Sequence, residues 1–389
     1  MSYAQGRLEV GGMVGDRPGP RIRVLHLILM LGETNSQYNE HCLPLVGVRD
    51  LSICTYFPPQ LAPPAEIALF AGNGALRGFF RALRAALDAR DYDAVHAHAP
   101  QTGLLLVVAL LVWRRFGRLR SSLVYTVHDS FYDYKLRDQA MMVMALAAFK
   151  RVVFCSRAAY DSLPRIWKWL VRDRWRLVQN GADIERVDQL IANGSITRDE
   201  GSFTVLSVGR LEKVKDPVTL LEAFAAGADG DGRLLFVGAG ALESAVLARA
   251  GELGLGDRLL LTGLIPRDEV FGRCAGADVF VSTSHGEGLP VAVMEAMAAG
   301  CPVILSNIPP HRELADGADF IPLIAPGDGE GFAREIRRFR HMAPEERLDL
   351  GRRCRDHVTT RFSLPIMHAG YEAVYRELPQ PAGRTTRSS

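Results

Sequence analysis

Two glutamates eight positions apart, Glu287 and Glu295, lie in the stretch VFVSTSHGEGLPVAVMEAMAAGCP, Val279 to Pro302, of this 389-residue chain. A short apolar run ends at Ser282, Gly286 and Gly288 break it, Pro290 stands where a helix can begin, and Gly300 and Pro302 close it. That order reads as strand, turn, helix and stop. Glu287 falls in the loop, whereas Glu295 falls more than one turn inside a helix that is apolar almost all round. A carboxylate buried there needs a partner, because an unpaired buried charge is costly. Together the two glutamates can flank an anion held at the helix N-terminus, where free N–H groups and the macrodipole favour phosphate. The bland alternative leaves Glu287 solvated in its loop and Glu295 on an exposed sliver.

The cations for such an anion stand in SVGRLEKVKDP, Ser207 to Pro217. A strand ends at Gly209, and Arg210, Lys213 and Lys215 precede a helix that begins near Asp216. The chain holds only five lysines among its 46 Lys and Arg, and Lys213 and Lys215 are the two in its second half. An arginine fork beside a lysine point charge suits a diphosphate. Two further loops place bare backbone at strand ends. FVGAGALES puts Gly238 and Gly240 after a strand, but position 243 is Glu where a dinucleotide fingerprint has a third glycine. The turn is therefore either tight strand-to-helix geometry or a place where a nucleotide passes over backbone. LTGLIPRDEV repeats the pattern, with Gly263 and Leu264 offering backbone to a base edge. His128 ends another strand and is either a packed histidine or a site group.

The elements that must position these residues alternate along the chain. Strands are expected at Val24 to Met30, Leu51 to Thr55, Ala94 to His98, Val124 to His128, Val152 to Ser156 and Arg176 to Val178. Helices lie between them, notably at Leu76 to Ala89, Thr102 to Phe116, Gln139 to Lys150 and Arg157 to Leu170. After a polar break the rhythm resumes at Thr204 to Val208, Arg233 to Val237, Leu259 to Leu261, Val279 to Ser282 and Val303 to Ser306. This is the α/β pattern of two doubly wound parallel sheets, with ligands expected beyond the carboxyl ends of the strands. The domain layout is a disordered leader over 1–20, a domain over 21–192, a linker over 193–202 and a second domain over 203–364. A helix over 365–378 is expected to pack back toward the first domain, before a disordered tail over 379–389.

Composition narrows the class further. An apolar fraction of 48% and a charged fraction of 23% are those expected of a soluble globular protein. The net charge of +2 divides into +6 for residues 1–200 and −4 for residues 201–389, so the first half is the side to meet an anionic surface. The six cysteines are scattered, without a C-x-x-C pair, as in a reducing cytoplasm. No H-E-x-x-H or G-K-[ST] element is present, and no metal is expected. The first twenty residues carry no signal-peptide run, and the longest apolar run, Leu104 to Trp113, is too short to span a bilayer.

Taken in order, VGRLEKVKDPVTLLEAF, VGAGALE, LTGLIPRDEV and ADVFVSTSHGEGLPVAVMEAMAAGCPVI resemble the retaining glycosyltransferases of family four, which have a GT-B fold of two facing Rossmann-like domains. VHAHAP (Val95 to Pro100), TVHD (Thr126 to Asp129) and NGAD (Asn180 to Asp183) extend the resemblance over nearly the whole chain. It implies a donor site for a nucleotide-diphosphate sugar of the UDP, GDP or ADP type, without a further cofactor or a metal. Arg210 and Lys215 would neutralise the leaving diphosphate, and the backbone around Gly288, Leu289, Pro290 and Val291 would hold it at the helix start, through the N–H groups of the residues other than the proline. Glu295 would take the ribose hydroxyls, Glu287 would face the donor sugar, and His128 would reach that sugar from the opposite domain. Family members often carry a double glycine after the first strand. Here MLGETNSQYNE has Gly32 alone, so the acceptor side departs from the pattern.

The resemblance also implies a carbohydrate or lipid-linked acceptor, a place in surface polysaccharide or glycolipid assembly, and no nucleic-acid partner. Arg77, Arg81, Arg84 and Arg90, then Arg114, Arg115, Arg118 and Arg120, and then the Trp167, Trp169 and Trp175 segment with its Arg and Lys neighbours suit an anionic membrane surface. They read equally as solvated helix faces. The expected location is cytoplasmic, with peripheral contact at the inner face of the cell membrane as the first of these readings. Two other functions share the fold: a nucleotide-sugar epimerase and a catalytically silent nucleotide-sugar-binding subunit.

Overall fold

The computed structural model describes residues 21–193 and 202–379. The leader over 1–20, the interior of the linker and the tail beyond 379 lie outside the described residues. The first seven strands are β1 (Arg23–Ile28), β2 (Asp50–Thr55), β3 (Ala68–Ala71), β4 (Ala94–Ala97), β5 (Leu123–Val127), β6 (Arg151–Phe154) and β7 (Trp175–Leu177). They form one parallel sheet in the order β3-β2-β1-β4-β5-β6-β7. The next six are β8 (Thr204–Val208), β9 (Arg233–Val237), β10 (Leu259–Leu261), β11 (Val279–Ser282), β12 (Val303–Ser306) and β13 (Leu323–Ile324). They form a second parallel sheet in the order β10-β9-β8-β11-β12-β13. Both orders reverse at a switch point, between β1 and β4 in the first sheet and between β8 and β11 in the second. The architecture is therefore two Rossmann-like sheets, the GT-B arrangement, and ligand crevices open beyond the carboxyl ends at those two points.

Helices cover both faces of each sheet, so the central strands are buried on both sides and read as apolar runs without alternation. The runs that carry the nearest-to-continuous apolar sequence fall where expected, to within one or two residues at each end. Two edge strands, β3 and β13, were not among the expected ones. Both are short and largely half-exposed, and an edge strand lacks the flanking neighbours that make a buried run conspicuous. The helix expected over Thr102 to Phe116 runs instead from Pro100 to Val112. Trp113 caps it, and Arg114 turns left-handed at φ 56°. The helix expected over Arg157 to Leu170 is split into Arg157–Asp161 and Arg165–Val171 by Pro164, which has no N–H to continue the ladder.

The last helix, Leu364–Arg376, leaves the second sheet and lies on the first. Ser363 bridges to Ala182, and the Leu364 N–H donates to the Ala182 carbonyl at 2.9 Å. Met367, Tyr371, Val374 and Tyr375 then join Val24, Ile28, Leu51 and Val153 in one buried cluster. The Tyr375 hydroxyl pairs with His96 Nδ1 at 2.7 Å, and Arg49 with Glu372 at 2.9 Å. None of the six cysteines is in a disulfide, and all are buried.

Candidate active site

Where the carboxyl ends of the two sheets face each other, a cavity of about 440 Å³ lies between them. Its wall brings together His128 and Asp129 from the first sheet's side with Arg210, Lys215 and residues Glu287 to Val293 from the second. Ser36 and Gln37, on the short helix Ser36–His41, line its first-domain side as well.

Lys215 is aimed by a strained turn. A single 3₁₀ turn, Lys213–Lys215, ends at Asp216, a non-glycine residue in the left-handed region at φ 48° just before Pro217. Such a conformation costs of order 1–3 kcal/mol and persists only where the surroundings hold it. Here they do. The Asp216 carboxylate caps the helix Pro217–Gly227, accepting from the Thr219 N–H at 3.3 Å and the Thr219 hydroxyl at 2.7 Å. The Thr283 hydroxyl donates to the carbonyls of Lys215 and Asp216 at 3.0 and 2.8 Å, and the His285 N–H to that of Val214 at 2.7 Å. The lysine turn is thus stitched to the loop after β11. Lys213 points away and is exposed, which separates the two lysines that look alike in sequence.

Glu287 is buried and accepts from Lys215 Nζ at 2.5 Å and from the Ser284 hydroxyl at 2.7 Å, both on Oε1. The loop that carries it is pinned from the opposite domain, one carbonyl after another. The Ser130 hydroxyl donates to the Glu287 carbonyl at 2.9 Å, Ser156 to that of Gly288 at 2.7 Å, and the Asn180 amide to that of Leu289 at 3.0 Å. Gly288 has to be glycine, because a Cβ there would lie 1.7 Å from the His128 carbonyl oxygen. The helix Val291–Ala298 begins directly after this loop, with Pro290 as its N-cap residue, so its free N–H groups open toward the cavity.

Burial pushes the His128 imidazole down to about 4, so it is neutral at pH 7. Its Nε2 lies 3.1 Å from His98 Nδ1. Asp133 is pushed up to about 6 by burial and by the neighbouring charges of Asp129 and Glu287.

Five expected site residues stand outside this wall. Glu295 is buried and bound to Arg267, whose Nε and Nη2 donate to Oε1 at 3.0 and 2.5 Å. The partner required by a buried carboxylate is therefore the arginine of LTGLIPRDEV, directly after Pro266; the lone charge signalled a partner without naming it. Gly238 and Gly263 sit beside the wall, at the ends of β9 and β10, where the Gly238 N–H donates to the Gly263 carbonyl at 2.9 Å. A Cβ on Gly238 would lie 2.1 Å from the Gly209 carbonyl, so chain-on-chain packing already accounts for that glycine. Leu264 is 71% exposed, and Gly32 lies in the loop after β1, where a Cβ would meet the Gln60 side chain. Ser130, Ser156, Ser284 and Thr283 were invisible as site residues, since a serine or threonine at a strand end carries no sequence mark of what it will bond.

Two family models cover most of the chain: "Glycosyltransferase Family 4" matches residues 53–186 and "Glycosyl transferases group 1" matches residues 190–357. The UDP-Gal:alpha-D-GlcNAc-diphosphoundecaprenol alpha-1,3-galactosyltransferase of Escherichia coli is 26% identical over 343 residues, spanning 82% of this chain and 83% of that one. The GDP-mannose:cellobiosyl-diphosphopolyprenol alpha-mannosyltransferase of Xanthomonas campestris is 29% identical over 232 residues, 51% of this chain and 60% of that one. Among solved structures, Anabaena Alr3699/HepE in complex with UDP and glucose superposes with a TM-score of 0.71 at 17% identity, covering 92% of this chain and all of that one. Sucrose-phosphate synthase from Thermosynechococcus elongatus gives 0.74 at 20% identity, covering 92% and 99%. These two likenesses concern the fold.

Proposed function

Because the chain belongs to the GT-B glycosyltransferases of the family-four type, we propose that it moves a sugar from a nucleotide-diphosphate sugar to a lipid-linked carbohydrate with retention of anomeric configuration. The observation that carries this reading is the cavity between the sheet ends, where Lys215 and Glu287 face His128 across the domain boundary.

In this reading the donor diphosphate lies against Lys215, Arg210 and the N-terminus of the helix Val291–Ala298. Two cations and a helix dipole stabilise the charge that grows on the leaving phosphate as the sugar becomes cation-like. Glu287 fixes Lys215 and presents its carboxylate toward the donor sugar. The neutral His128 ring gives or takes a hydrogen bond with a sugar hydroxyl from the other domain. The acceptor hydroxyl attacks from the face the phosphate is leaving, and the departing phosphate oxygen takes its proton. Side-chain cations do the neutralising, so turnover persists in EDTA. Glu295 is the candidate for the ribose hydroxyls, sharing them with Arg267.

The relatives named for diphosphopolyprenol acceptors support a lipid-linked acceptor, and so does the outer face of the first domain. Val108, Leu111 and Val112, at the end of the helix Pro100–Val112, are exposed beside the exposed Arg77, Arg81, Arg84, Arg114 and Arg118. An apolar cavity of about 400 Å³, walled by Leu29, Phe57, Leu104, Leu105 and Met141, adjoins the end of β1 on the same edge as the active cleft. We read this face as lying on an anionic membrane, with the apolar cavity taking the first part of the lipid chain. The tryptophan segment contributes less. Trp169 is exposed, while Trp175 stacks on Tyr160 at 4.0 Å and Trp167 packs on the core. No helix among the described residues is long and apolar enough to cross a membrane.

The test is transfer to a synthetic diphosphoprenyl-linked saccharide in EDTA, with the anomeric coupling of the product read by NMR. Retention of the donor's configuration is expected, and an inverted product overturns the mechanism.

A further inference from the structure

Behind the half-buried His128 the first domain buries four further imidazoles that cluster with it. His26 on β1, His96 on β4, His98 just after β4, His41 at the end of the helix Ser36–His41 and His128 after β5 have ring centroids 4.0–6.3 Å from their neighbours. Hydrogen bonding with protein oxygen explains only part of it. His96 uses both nitrogens, on the Tyr375 hydroxyl and the Thr126 hydroxyl, each at 2.7 Å. His98 has only other histidines as ring hydrogen-bond partners: Nε2 on His26 Nδ1 at 2.9 Å and Nδ1 on His128 Nε2 at 3.1 Å. Neither contact involves an oxygen, and His26 Nε2 is buried with no hydrogen-bond partner.

We propose that His41, His98 and His128 form a binding site for a borderline divalent transition-metal ion of the zinc class, and that its occupancy of the His128 nitrogen facing His98 leaves that ring able only to donate toward the donor sugar. One nitrogen from each of the three rings falls within 4.8 Å of the other two. Two nitrogens on a tetrahedral zinc ion, each at ~2.0–2.1 Å, stand roughly 3.3 Å apart, so the His98–His128 pair is already at ligand spacing. The third nitrogen has to close by at most roughly 1.5 Å to meet the same geometry. His41 is the last residue of a six-residue helix, Ser36–His41, whose first turn lines the active cavity, so a small shift of that helix supplies the approach.

The chemistry of the set selects the ion. Three imidazoles and no carboxylate suit zinc, copper or nickel and not magnesium or calcium, which take oxygen ligands. Burial holds His41 and His98 well below, and His128 at about 4 against, the ordinary histidine range, so all three offer free lone pairs at pH 7 without first losing a proton. With His98 Nδ1 on the metal, its Nε2–H donates to His26 Nδ1. That fixes the ring as hydrogen-bonded partners of metal-bound histidines do elsewhere.

The effect on turnover rests on the reading of His128 as a sugar contact, whereas metal binding does not, so the two are measured separately. Chelator-treated protein is titrated with Zn²⁺ by calorimetry and with Co²⁺ by visible absorption, in the absence of any nucleotide, for wild type, His41→Asn, His98→Asn and the exposed control His341→Asn. The expected result is one site, with tetrahedral-type Co²⁺ absorption, weakened at least about 100-fold in both ligand variants and unchanged in the control. That exceeds what losing a hydrogen bond to a ligand costs. Absence of binding to wild type, or binding undiminished in His41→Asn, overturns the proposal. Circular dichroism checks that each variant is folded, and His41→Asn decides alone if His98→Asn is not. A second assay then adds Zn²⁺ to the transferase reaction. A change in rate that His41→Asn abolishes supports the locked His128 ring, and stoichiometric binding with the rate unchanged overturns that half.

Discussion

Lys215 Nζ lies 2.5 Å from Glu287 Oε1, a cation and a carboxylate from two different loops of the second domain joined at the wall of the interdomain cavity. The pairing gives each residue a separate signature. Glu287 keeps its Ser284 hydrogen bond when the lysine is lost, so Lys215→Ala does not leave it without a partner. A hydrogen bond to a charged group contributes about 1.5–3 kcal/mol, so Lys215→Ala is expected to weaken nucleotide-diphosphate binding about 10–150-fold. Glu287→Ala is expected to reduce transfer far more than it reduces binding of the free nucleotide. Calorimetry and steady-state kinetics on the two variants separate these outcomes. Equal loss of rate and binding in Glu287→Ala assigns the glutamate a structural role only.

Gly288→Ala tests how closely the two domains meet. The new Cβ collides with the His128 backbone oxygen, which lacks a flexible side chain's freedom to move, so the loop or the opposite domain must shift. A loss of about 3 kcal/mol in denaturant unfolding is expected, with most of the transferase activity. Gly251→Ala is the control. A Cβ there meets nothing within 4 Å, and the position lies in the helix Glu243–Glu252, so the change is neutral or stabilising by up to about 1 kcal/mol.

Arg267→Ala strands Glu295 by removing the guanidinium that its carboxylate accepts from in a nearly buried site. Breaking such a pair costs about 3–5 kcal/mol, and Arg267→Ala combined with Glu295→Gln is expected to recover much of it by removing the charge as well. Urea midpoints for the two single variants and the double variant measure the recovery. Simple additivity of the two losses shows that the pair is not coupled.

The buried histidines set the acid limit of stability. His26 is pushed down to about 3 by burial and then by the Arg49 charge, and His128 to about 4 by burial, with His41, His96 and His98 also well below the ordinary range. Groups with depressed values contribute stability that is present above ~6.5 and is lost as pH falls toward the folded-state values. Each costs about 1.4 kcal/mol per pH unit while the unfolded chain is protonated and the fold is not. Glu40 runs the other way. Burial raises it to about 8, and its contribution, full below ~4.5, fades as pH rises toward 8. Five histidines outweigh Glu40 together with Asp129 and Asp133, whose carboxyls burial also raises, below pH 6.5, so the unfolding free energy is expected to fall steeply between pH 6.5 and 4. A flat profile over that window contradicts the burial of the cluster as neutral rings.

How much of this is legible in the sequence depends on how local each cause is. Central strands and the Glu287 loop are written in contiguous residues: apolar runs, paired glycines and Pro290 act within a few positions. The edge strands β3 and β13 lack that signal because little of them is buried. Arg267, Ser130 and Ser156 matter through partners 28 to 157 residues away, and only the folded chain brings those together. The histidine cluster is the extreme case. VHAHAP displays two members side by side, but His26, His41 and His128 join them only because β1, β4 and β5 are neighbours and the helix Ser36–His41 folds over their ends.

The most direct test of the central claim is calorimetric titration of the purified protein with UDP, GDP, ADP and their sugars in EDTA, repeated with Lys215→Ala. Binding of one nucleotide family over the others, weakened at least about 10-fold by the substitution, is the predicted result. No binding across the panel by folded protein, or binding that Lys215→Ala leaves unchanged, contradicts a donor site in this cavity.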